Sequence, residues 1–187
     1  MVLHGFLETI DIPVAQGWSA SSDRHGFVAI YPGRTDSWNA GLCCAAASVA
    51  KRDDVSWLAA AINVARSRYG LTTIYLAGNS NGGMMVERLV AERPTVSNHF
   101  AVWAAAPEMP TAGRWQGDGN LFSGTDDLVI PRQGGRVVIG GVLALIRPAA
   151  NTGQWLKGAQ LRQTLIPGAG HAPPADWPEL AWAALSH

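Results

Sequence analysis

The chain has 187 residues, which suits one domain with a sizeable core, so we expect residues 1–187 to fold as a single domain. Hydrophobic residues make up 48% and charged residues 15%, a composition that excludes an intrinsically disordered protein. Lys and Arg together number 14, as do Asp and Glu, so no basic excess supports a nucleic-acid-binding surface. No apolar run reaches the roughly 18 residues of a membrane-spanning helix, and we expect no such span.

Six short apolar runs predict the strands of a buried sheet. Most of these runs are almost continuous in hydrophobic residues, a pattern typical of strands that are covered on both faces. In chain order, the predicted strands span residues 2–3, 27–31, 73–77, 100–103, 120–122 and 161–166.

Helical periodicity predicts three helices, over residues 53–69, 81–92 and 178–185. The alternation of strands and helices predicts an α/β fold, in which a mostly parallel sheet of about six strands carries helices on both faces. The Gly-rich segment 130–155 predicts a loop with one short helix, which we expect to form one wall of a site.

The N-terminus and the two cysteines bear on location and metal binding. Residues 1–5 lack the charged start and the long apolar stretch of a signal peptide, so the chain as written predicts a cytoplasmic protein, or a secreted one if a signal has been removed. Cys43 and Cys44 are adjacent and cannot join distant segments, and the usual burial of cysteine favours two buried thiols over a vicinal disulfide. We expect no metal, because zinc would need more soft ligands.

The strongest chemical signal is the G-x-S-x-G motif Gly78-Asn79-Ser80-Asn81-Gly82. It joins the predicted strand 73–77 directly to the predicted helix 81–92, the context in which this motif forms a sharp turn that exposes its serine. The helix N-terminus adds backbone N–H groups and a dipole that favour negative charge on the serine oxygen. The pattern therefore favours Ser80 as a nucleophile over a turn with no chemical role.

A serine hydroxyl needs a base to remove its proton. In hydrolases with this strand–turn–helix motif, an acidic residue and then a histidine follow later strands. His171 lies in a Gly-rich loop after the last predicted strand and is the candidate base. The other histidines fit this order poorly; they are His4, His25, His99 and His187.

Two adjacent residues compete for the role of the acid. Asp126 and Asp127 both follow the fifth predicted strand, and spacing alone favours neither. The oxyanion formed when the serine attacks needs preorganised N–H donors. The candidates are the backbone N–H of Asn81, directly after the nucleophile, and that of Phe6, after the first predicted strand.

The chain also carries a series of short motifs in a fixed order: Val2-Leu3-His4-Gly5, Asp23-Arg24-His25-Gly26-Phe27-Val28, Tyr31-Pro32-Gly33, Ser37-Trp38-Asn39-Ala40-Gly41-Leu42-Cys43-Cys44, Arg52-Asp53-Asp54-Val55, Gly78-Asn79-Ser80-Asn81-Gly82-Gly83-Met84-Met85, Gly124-Thr125-Asp126-Asp127 with Pro131, and Gly170-His171. This series covers nearly the whole chain and resembles the poly(3-hydroxybutyrate) depolymerase and feruloyl esterase group. The resemblance implies an α/β-hydrolase fold and the cleavage of carboxylic esters, including polyester, feruloyl and acetyl-xylan esters.

The resemblance also assigns residues. Its pattern Gly-Thr-x-Asp-x-x-apolar-Pro implies that Asp127, not Asp126, is the catalytic acid. It implies that Trp38 and Asn39 lie near the rim of the site, where we expect them to bind substrate, and Trp155 is a further candidate for an aromatic substrate surface. The strands that usually precede the first one in this fold are missing, so we expect an exposed sheet edge, closed by a covering segment or by a homodimer.

Together these residues predict a carboxylic ester hydrolase that acts through an acyl-enzyme on short-chain, polyester, feruloyl or acetyl-type esters, small or polymeric. Ser80 attacks the ester, His171 transfers the proton, Asp127 orients His171, and no cofactor is needed. Two alternatives stay open at this point: a peptidase or amidase with the same triad, and a non-catalytic binding protein with a hydrolase-like fold.

Overall fold

The computed structural model describes residues 1–33, 36–139 and 141–186. In these ranges the strands are β1 (Val2–Leu3), β2 (Tyr75–Asn79), β3 (His99–Trp103), β4 (Gly113–Arg114), β5 (Asp118–Gly124), β6 (Gly135–Ile139), β7 (Val142–Ile146), β8 (Leu156–Lys157) and β9 (Gln160–Ile166). The central sheet is parallel throughout, in the order β1-β2-β3-β5-β9. Two further sheets have two strands each: β4 pairs with β8, and β6 pairs with β7.

The α-helices of the described ranges are α1 (Asp11–Ala15), α2 (Trp18–His25), α3 (Ala45–Val49), α4 (Asp54–Tyr69), α5 (Asn81–Glu92), α6 (Thr152–Trp155) and α7 (Trp177–Leu185). The three predicted helices correspond to α4, α5 and α7. Sequence periodicity missed α1, α2 and α3, which are short; α2 is rich in serine and carries only two buried side chains. None of the helices in the described ranges is long and apolar enough to span a membrane.

Both faces of the sheet are covered by helices, as predicted. Along each strand successive side chains point to opposite faces. Leu76 and Phe100 therefore pack with α4 and α5, whereas their neighbours Ala77 and Ala101 pack with Trp18 of α2 and the apolar side of α7. The mostly parallel α/β architecture inferred from the sequence is confirmed.

The predicted strand over residues 27–31 is wrong, and the central sheet has five strands rather than about six. This segment lies along the outer edge of β1, but one backbone hydrogen bond joins them, from the Val2 N–H to the Ile30 carbonyl at 2.9 Å. Side chains hold the segment instead, because the Phe27 ring stacks on Trp182 at a centroid distance of 4.8 Å. The strand expected at the exposed edge is thus replaced by an irregular segment that lies along β1. The homodimer stays a prediction, and a monomeric sedimentation profile at high concentration would count against it.

The Gly-rich segment 130–155 also differs from expectation. Rather than a loop with one short helix, it contains an antiparallel hairpin of β6 and β7, followed by α6. Two β-branched, apolar runs flank Gly140-Gly141, a sequence signal for a hairpin. Val137 pairs with Ala144 in its register.

Candidate active site

The carboxyl ends of β2, β5 and β9 meet at one edge of the sheet, the usual place for ligands in a parallel α/β sheet. Ser80 directly follows β2, Asp127 follows β5 by three residues, and His171 lies in the loop after β9. The register aligns these strand ends, since Asn79 pairs with Trp103 and Trp103 with Phe122. The sheet thus brings the three predicted residues to one place.

Ser80 occupies a strained turn between β2 and α5. Its φ is 50° and its ψ is −124°, a conformation that non-glycine residues rarely adopt and that costs energy. Glycines on either side make the turn sterically feasible. A Cβ at Gly78 would lie 2.7 Å from backbone atoms of Gly82, and a Cβ at Gly82 would collide with the carbonyl oxygens of Leu3 and His4.

Ser80, His171 and Asp127 form one hydrogen-bonded row. The Ser80 Oγ lies 3.0 Å from the His171 Nε2, and the His171 Nδ1 lies 3.0 Å from the Asp127 Oδ2. An ionised carboxylate can only accept, so Nδ1 carries the proton and Nε2 is left to accept the Ser80 hydroxyl proton. The geometry is that of a nucleophile, its base and the residue that orients the base.

Asp127 is held so that it stays ionised. Its side chain is 1% exposed, and its Oδ1 accepts hydrogen bonds from the backbone N–H groups of Val129 at 2.8 Å and Ile130 at 2.9 Å. Burial alone raises the pKa of this carboxyl, but the hydrogen bonds from His171, Ile130 and Val129 outweigh it, and the pKa lies below its usual value. Asp126, by contrast, is exposed and its Oδ1 accepts from the Thr125 hydroxyl at 2.8 Å.

The loop that carries His171 is tied to the turn after β5. The Asp126 N–H donates to the Ala169 carbonyl at 3.0 Å, and the Gly168 N–H donates to the Thr125 Oγ1 at 2.8 Å. The indole N–H of Trp103 donates to the carbonyl of His171 itself, also at 2.8 Å. These bonds fix His171 relative to both β3 and β5.

The other histidines have different surroundings. The His4 ring is buried, with its Nδ1 2.8 Å from the Gly5 carbonyl. His25 contacts Glu179 at 2.8 Å, and His99 lies 3.7 Å from Asp118. His187 lies outside the described residues.

The two predicted oxyanion donors lie on adjoining backbone segments. Asn81 is the first residue of α5. Strand β1 pairs with β2 so that Leu3 lies opposite Gly78, and this pairing brings the loop that contains Phe6 alongside the Ser80 turn. Among the described residues, no acceptor takes the backbone N–H of either Asn81 or Phe6. An unused N–H is what an oxyanion donor requires before its ligand binds.

Trp38 and Asn39 do not offer the substrate surface that the sequence led us to expect. Trp38 is completely buried, and its indole N–H donates to the His4 carbonyl at 2.9 Å. Asn39 is 6% exposed, and its side-chain amide donates to the Arg52 carbonyl at 2.7 Å. Both side chains support the loop behind the site.

Sequence reasoning missed the ion-pair network that anchors this loop. The Nε of Arg52 donates to both oxygens of Asp54, at 2.9 and 3.1 Å, and its Nη1 donates to Asp36 at 3.1 Å. The third guanidinium nitrogen of Arg52, Nη2, donates to the carbonyl of Ser37. Asp54 in turn accepts the Asn39 N–H at 2.8 Å. The Arg-Asp-Asp triplet at the start of α4 was the available signal.

Trp155 lies away from Ser80. The next residue, Leu156, pairs with Gly113. Gly113 in turn packs closely against the backbone of Ala91, near the end of α5. A rise of 1.5 Å per residue places Ala91 roughly 16 Å along the helix from Ser80. The Trp155 ring is covered by the Arg147 guanidinium at 3.7 Å, a cation–π contact.

The sulfur atoms of Cys43 and Cys44 are in direct contact, the arrangement of a vicinal disulfide rather than of the two separate buried thiols that the sequence favours. Both residues are buried, at 7% and 6% exposure, in the loop that follows Trp38. Among the described residues, no group of three His, Cys, Asp or Glu side chains has the arrangement of a metal site.

No family model and no curated protein matches the chain. Solved structures do match it. SOBER1 of Arabidopsis thaliana aligns with a TM-score of 0.65 at 17% identity, over 96% of this chain and 92% of that one. Esterase PE8 aligns with a TM-score of 0.62 at 18% identity, over 97% and 88% of the two chains. A Xanthomonas campestris pv. campestris protein, described as a hydrolase of the alpha/beta superfamily, aligns with a TM-score of 0.56 at 18% identity, over 98% and 92%.

The chain therefore has the α/β-hydrolase fold, as its sequence predicted. At these identities the likeness establishes the fold alone. The narrower resemblance to poly(3-hydroxybutyrate) depolymerases and feruloyl esterases stays a prediction.

Proposed function

We propose that the protein is a carboxylic ester hydrolase with Ser80 as nucleophile, His171 as base and Asp127 as the acid. The observation that carries this proposal is the continuous hydrogen-bonded row from Ser80 through His171 to Asp127, with contacts of 3.0 Å at each step. The row ends at a strained turn on a helix N-terminus, where negative charge is favoured.

The first half of the reaction forms an acyl-enzyme. His171 Nε2 takes the hydroxyl proton of Ser80 while Oγ bonds to the ester carbonyl carbon, and the carbonyl oxygen becomes an oxyanion. The backbone N–H groups of Asn81 and Phe6 stabilise that oxyanion. The imidazolium then gives its proton to the leaving alcohol as the carbon–oxygen bond breaks.

The second half releases the acid. Water gives a proton to His171 Nε2 and attacks the acyl carbon, and the Ser80 oxygen leaves with that proton. Asp127 keeps the Nδ1 proton in place throughout and stabilises the imidazolium by its charge, which its lowered pKa maintains at neutral pH.

Three leucines next to site residues or on the adjoining loop are exposed: Leu7 at 68%, Leu42 at 64% and Leu128 at 86%. They favour esters with an apolar acyl or alcohol group. We include short-chain, polyester, feruloyl and acetyl-type esters in the proposal.

An ester panel tests the proposal. p-Nitrophenyl acetate, butyrate and octanoate, methyl ferulate, a hydroxybutyrate oligomer and a p-nitroanilide amide are compared on the wild-type chain, Ser80→Ala and Ser67→Ala. Ser67 is an exposed serine of α4 and serves as the matched control. We expect ester turnover that Ser80→Ala abolishes and Ser67→Ala keeps. Retained turnover in Ser80→Ala overturns the proposal, and faster amide than ester cleavage indicates a peptidase or amidase.

A further inference from the structure

The β6-β7 hairpin presents an apolar face that nothing in the described chain covers. Val138 is 64% exposed, Leu143 67% and Leu145 74%. We call these three side chains the hairpin face. Val138 lies directly opposite Leu143 in the register, and Leu145 follows two residues along the same side of β7, so the three form one continuous patch.

The opposite side of the hairpin explains why this face stays exposed. Val137 is 6% and Ile146 3% exposed, and both belong to the main hydrophobic core. Because strand side chains alternate, burying these residues forces their neighbours outward. The exposure is thus fixed by core packing. An apolar patch of this kind on a soluble domain usually marks a binding surface.

Charge around the hairpin points to the kind of partner. The whole chain balances 14 basic against 14 acidic residues, but residues 128–170 contain no Asp or Glu. Their basic residues are Arg132, Arg136, Arg147, Lys157 and Arg162. Residues 128–170 thus carry five positive charges and no negative one on a neutral chain, a balance that complements an anionic surface.

Two of these arginines show how the positive charge is placed. Arg147 is held internally, with its Nη1 donating to the carbonyls of Pro107 and Met109 at 2.8 Å each. Arg136 is exposed on the hairpin directly opposite Leu145, and none of the described residues pairs with its guanidinium. The apolar patch and an unpaired cation thus share one face.

We propose that the hairpin face and Arg136 bind an anionic lipid surface. The three apolar side chains enter the boundary between headgroups and acyl chains, and Arg136 contacts the phosphate level. The hairpin is connected to the site through the turn at Asp127, where the Ile130 N–H donates to the Asp127 carboxylate. Exposed Leu128 lies in that turn. Lipid binding does not depend on catalysis, so a negative result for one proposal leaves the other unaffected.

Vesicle co-sedimentation tests this inference. The protein carries Ser80→Ala throughout, so that no hydrolysis alters the lipid. Vesicles of phosphatidylcholine with about 30 mol% phosphatidylglycerol are compared with pure phosphatidylcholine vesicles at low and high salt. We expect binding to the anionic vesicles that is weakened by salt, and binding to the neutral vesicles that is about tenfold weaker or more.

Variants assign the binding to the hairpin. The double variant Leu143→Ser/Leu145→Ser should lose about tenfold or more in affinity for anionic vesicles, and Arg136→Gln should lose severalfold. Val64→Ser is the matched control, because Val64 is an apolar residue of similar exposure, 65%, on a different element, α4. All the substituted side chains are exposed, and thermal unfolding checks that each variant is folded.

Three results overturn the inference. The first is equal binding to neutral and anionic vesicles, or none to either. The second is unchanged binding by folded Leu143→Ser/Leu145→Ser, or an equal loss in Val64→Ser. The third is that the protein does not bind lipid but self-associates with rising concentration, and the double variant abolishes this self-association. That result would assign the hairpin face to contacts with a second copy of the chain.

Discussion

Asn81 holds the backbone of Trp38 with both ends of its side-chain amide. Its Oδ1 accepts the Trp38 N–H at 2.6 Å, and its Nδ2 donates to the Trp38 carbonyl at 3.0 Å. The indole N–H of Trp38 reaches the carbonyl of His4, two residues before Phe6. One buried tryptophan thus links the backbone segments that carry both proposed oxyanion donors.

Trp38→Phe should lower kcat with little change in KM. The phenyl ring keeps most of the packing but loses the hydrogen bond to His4, so the Phe6 loop is held less firmly. Losing one buried hydrogen bond of about 1 to 1.5 kcal/mol corresponds to about a tenfold fall in rate. Steady-state kinetics on a p-nitrophenyl ester measures it. Trp182→Phe, at the opposite end of the sheet against Phe27, is the control. A kcat equal to that of the control removes Trp38 from this role.

The neighbouring aspartates give a matched pair. Asp127→Asn should lower kcat by about ten-thousand-fold, because an amide at this position no longer fixes the Nδ1 proton or stabilises the imidazolium. Asp126→Asn should stay within about twofold, since the exposed Asp126 contacts Thr125 rather than His171. Single-turnover assays resolve the slow variant. Equal losses in the two variants would show that the acid is assigned wrongly.

Glu87 should make the protein less stable as the pH rises. Burial raises the pKa of the Glu87 carboxyl from 4.5 to about 8. The hydrogen bond from Thr152 lowers this pKa, whereas the charge of Glu108 raises it further. The folded chain therefore keeps a proton that the unfolded chain releases, and the free energy of unfolding falls between these two pH values. The slope is at most about 1.4 kcal/mol per pH unit.

Urea unfolding at a series of pH values measures this effect. Glu87→Gln should flatten the decline, because the amide does not titrate. Glu92→Gln on the same helix is the control, since Glu92 is partly exposed and pairs with Arg88 at 2.7 Å. A decline as steep in Glu87→Gln as in the wild-type chain contradicts the assignment.

Gly82→Ala should destabilise the fold severely. The Cβ of an alanine at this position would collide with the carbonyl oxygens of Leu3 and His4. Relieving that collision would require β1 to shift. We expect a loss of about 3 kcal/mol or more. Gly153→Ala is the control, because its Cβ would meet only a side-chain atom of Leu161 at 3.7 Å. Denaturant unfolding measures both variants. Equal stabilities would show that the close packing of Gly82 against the backbone of Leu3 and His4 is not required for a stable fold.

Sequence predicted those parts of the molecule whose signals are local. The strand, turn and helix around Ser80 lie within a few residues of one another, and the order of Asp127 and His171 follows from the strands that precede them. Asp126 and Asp127 could not be separated by spacing, because the turn that buries one and exposes the other depends on contacts with residues 129 and 130.

Features held by long-range pairs were missed. Trp38 contacts His4 and Asn81, which lie 34 and 43 residues away, so its burial left no periodic signal. The 27–31 segment has a strand-like composition, but its neighbours bind it through side chains rather than a backbone ladder. The β6-β7 hairpin is a local feature that was missed for a different reason: its outer face is apolar, so the alternation typical of a strand is absent despite the Gly-Gly turn signal.

Covalent labelling of the folded protein with a fluorophosphonate, followed by mass spectrometry of its peptides, tests whether Ser80 is the nucleophile. We expect stoichiometric labelling on Ser80, slow labelling in His171→Ala and none in Ser80→Ala. Absence of label on the folded wild-type chain, or label on a different serine, would contradict this assignment.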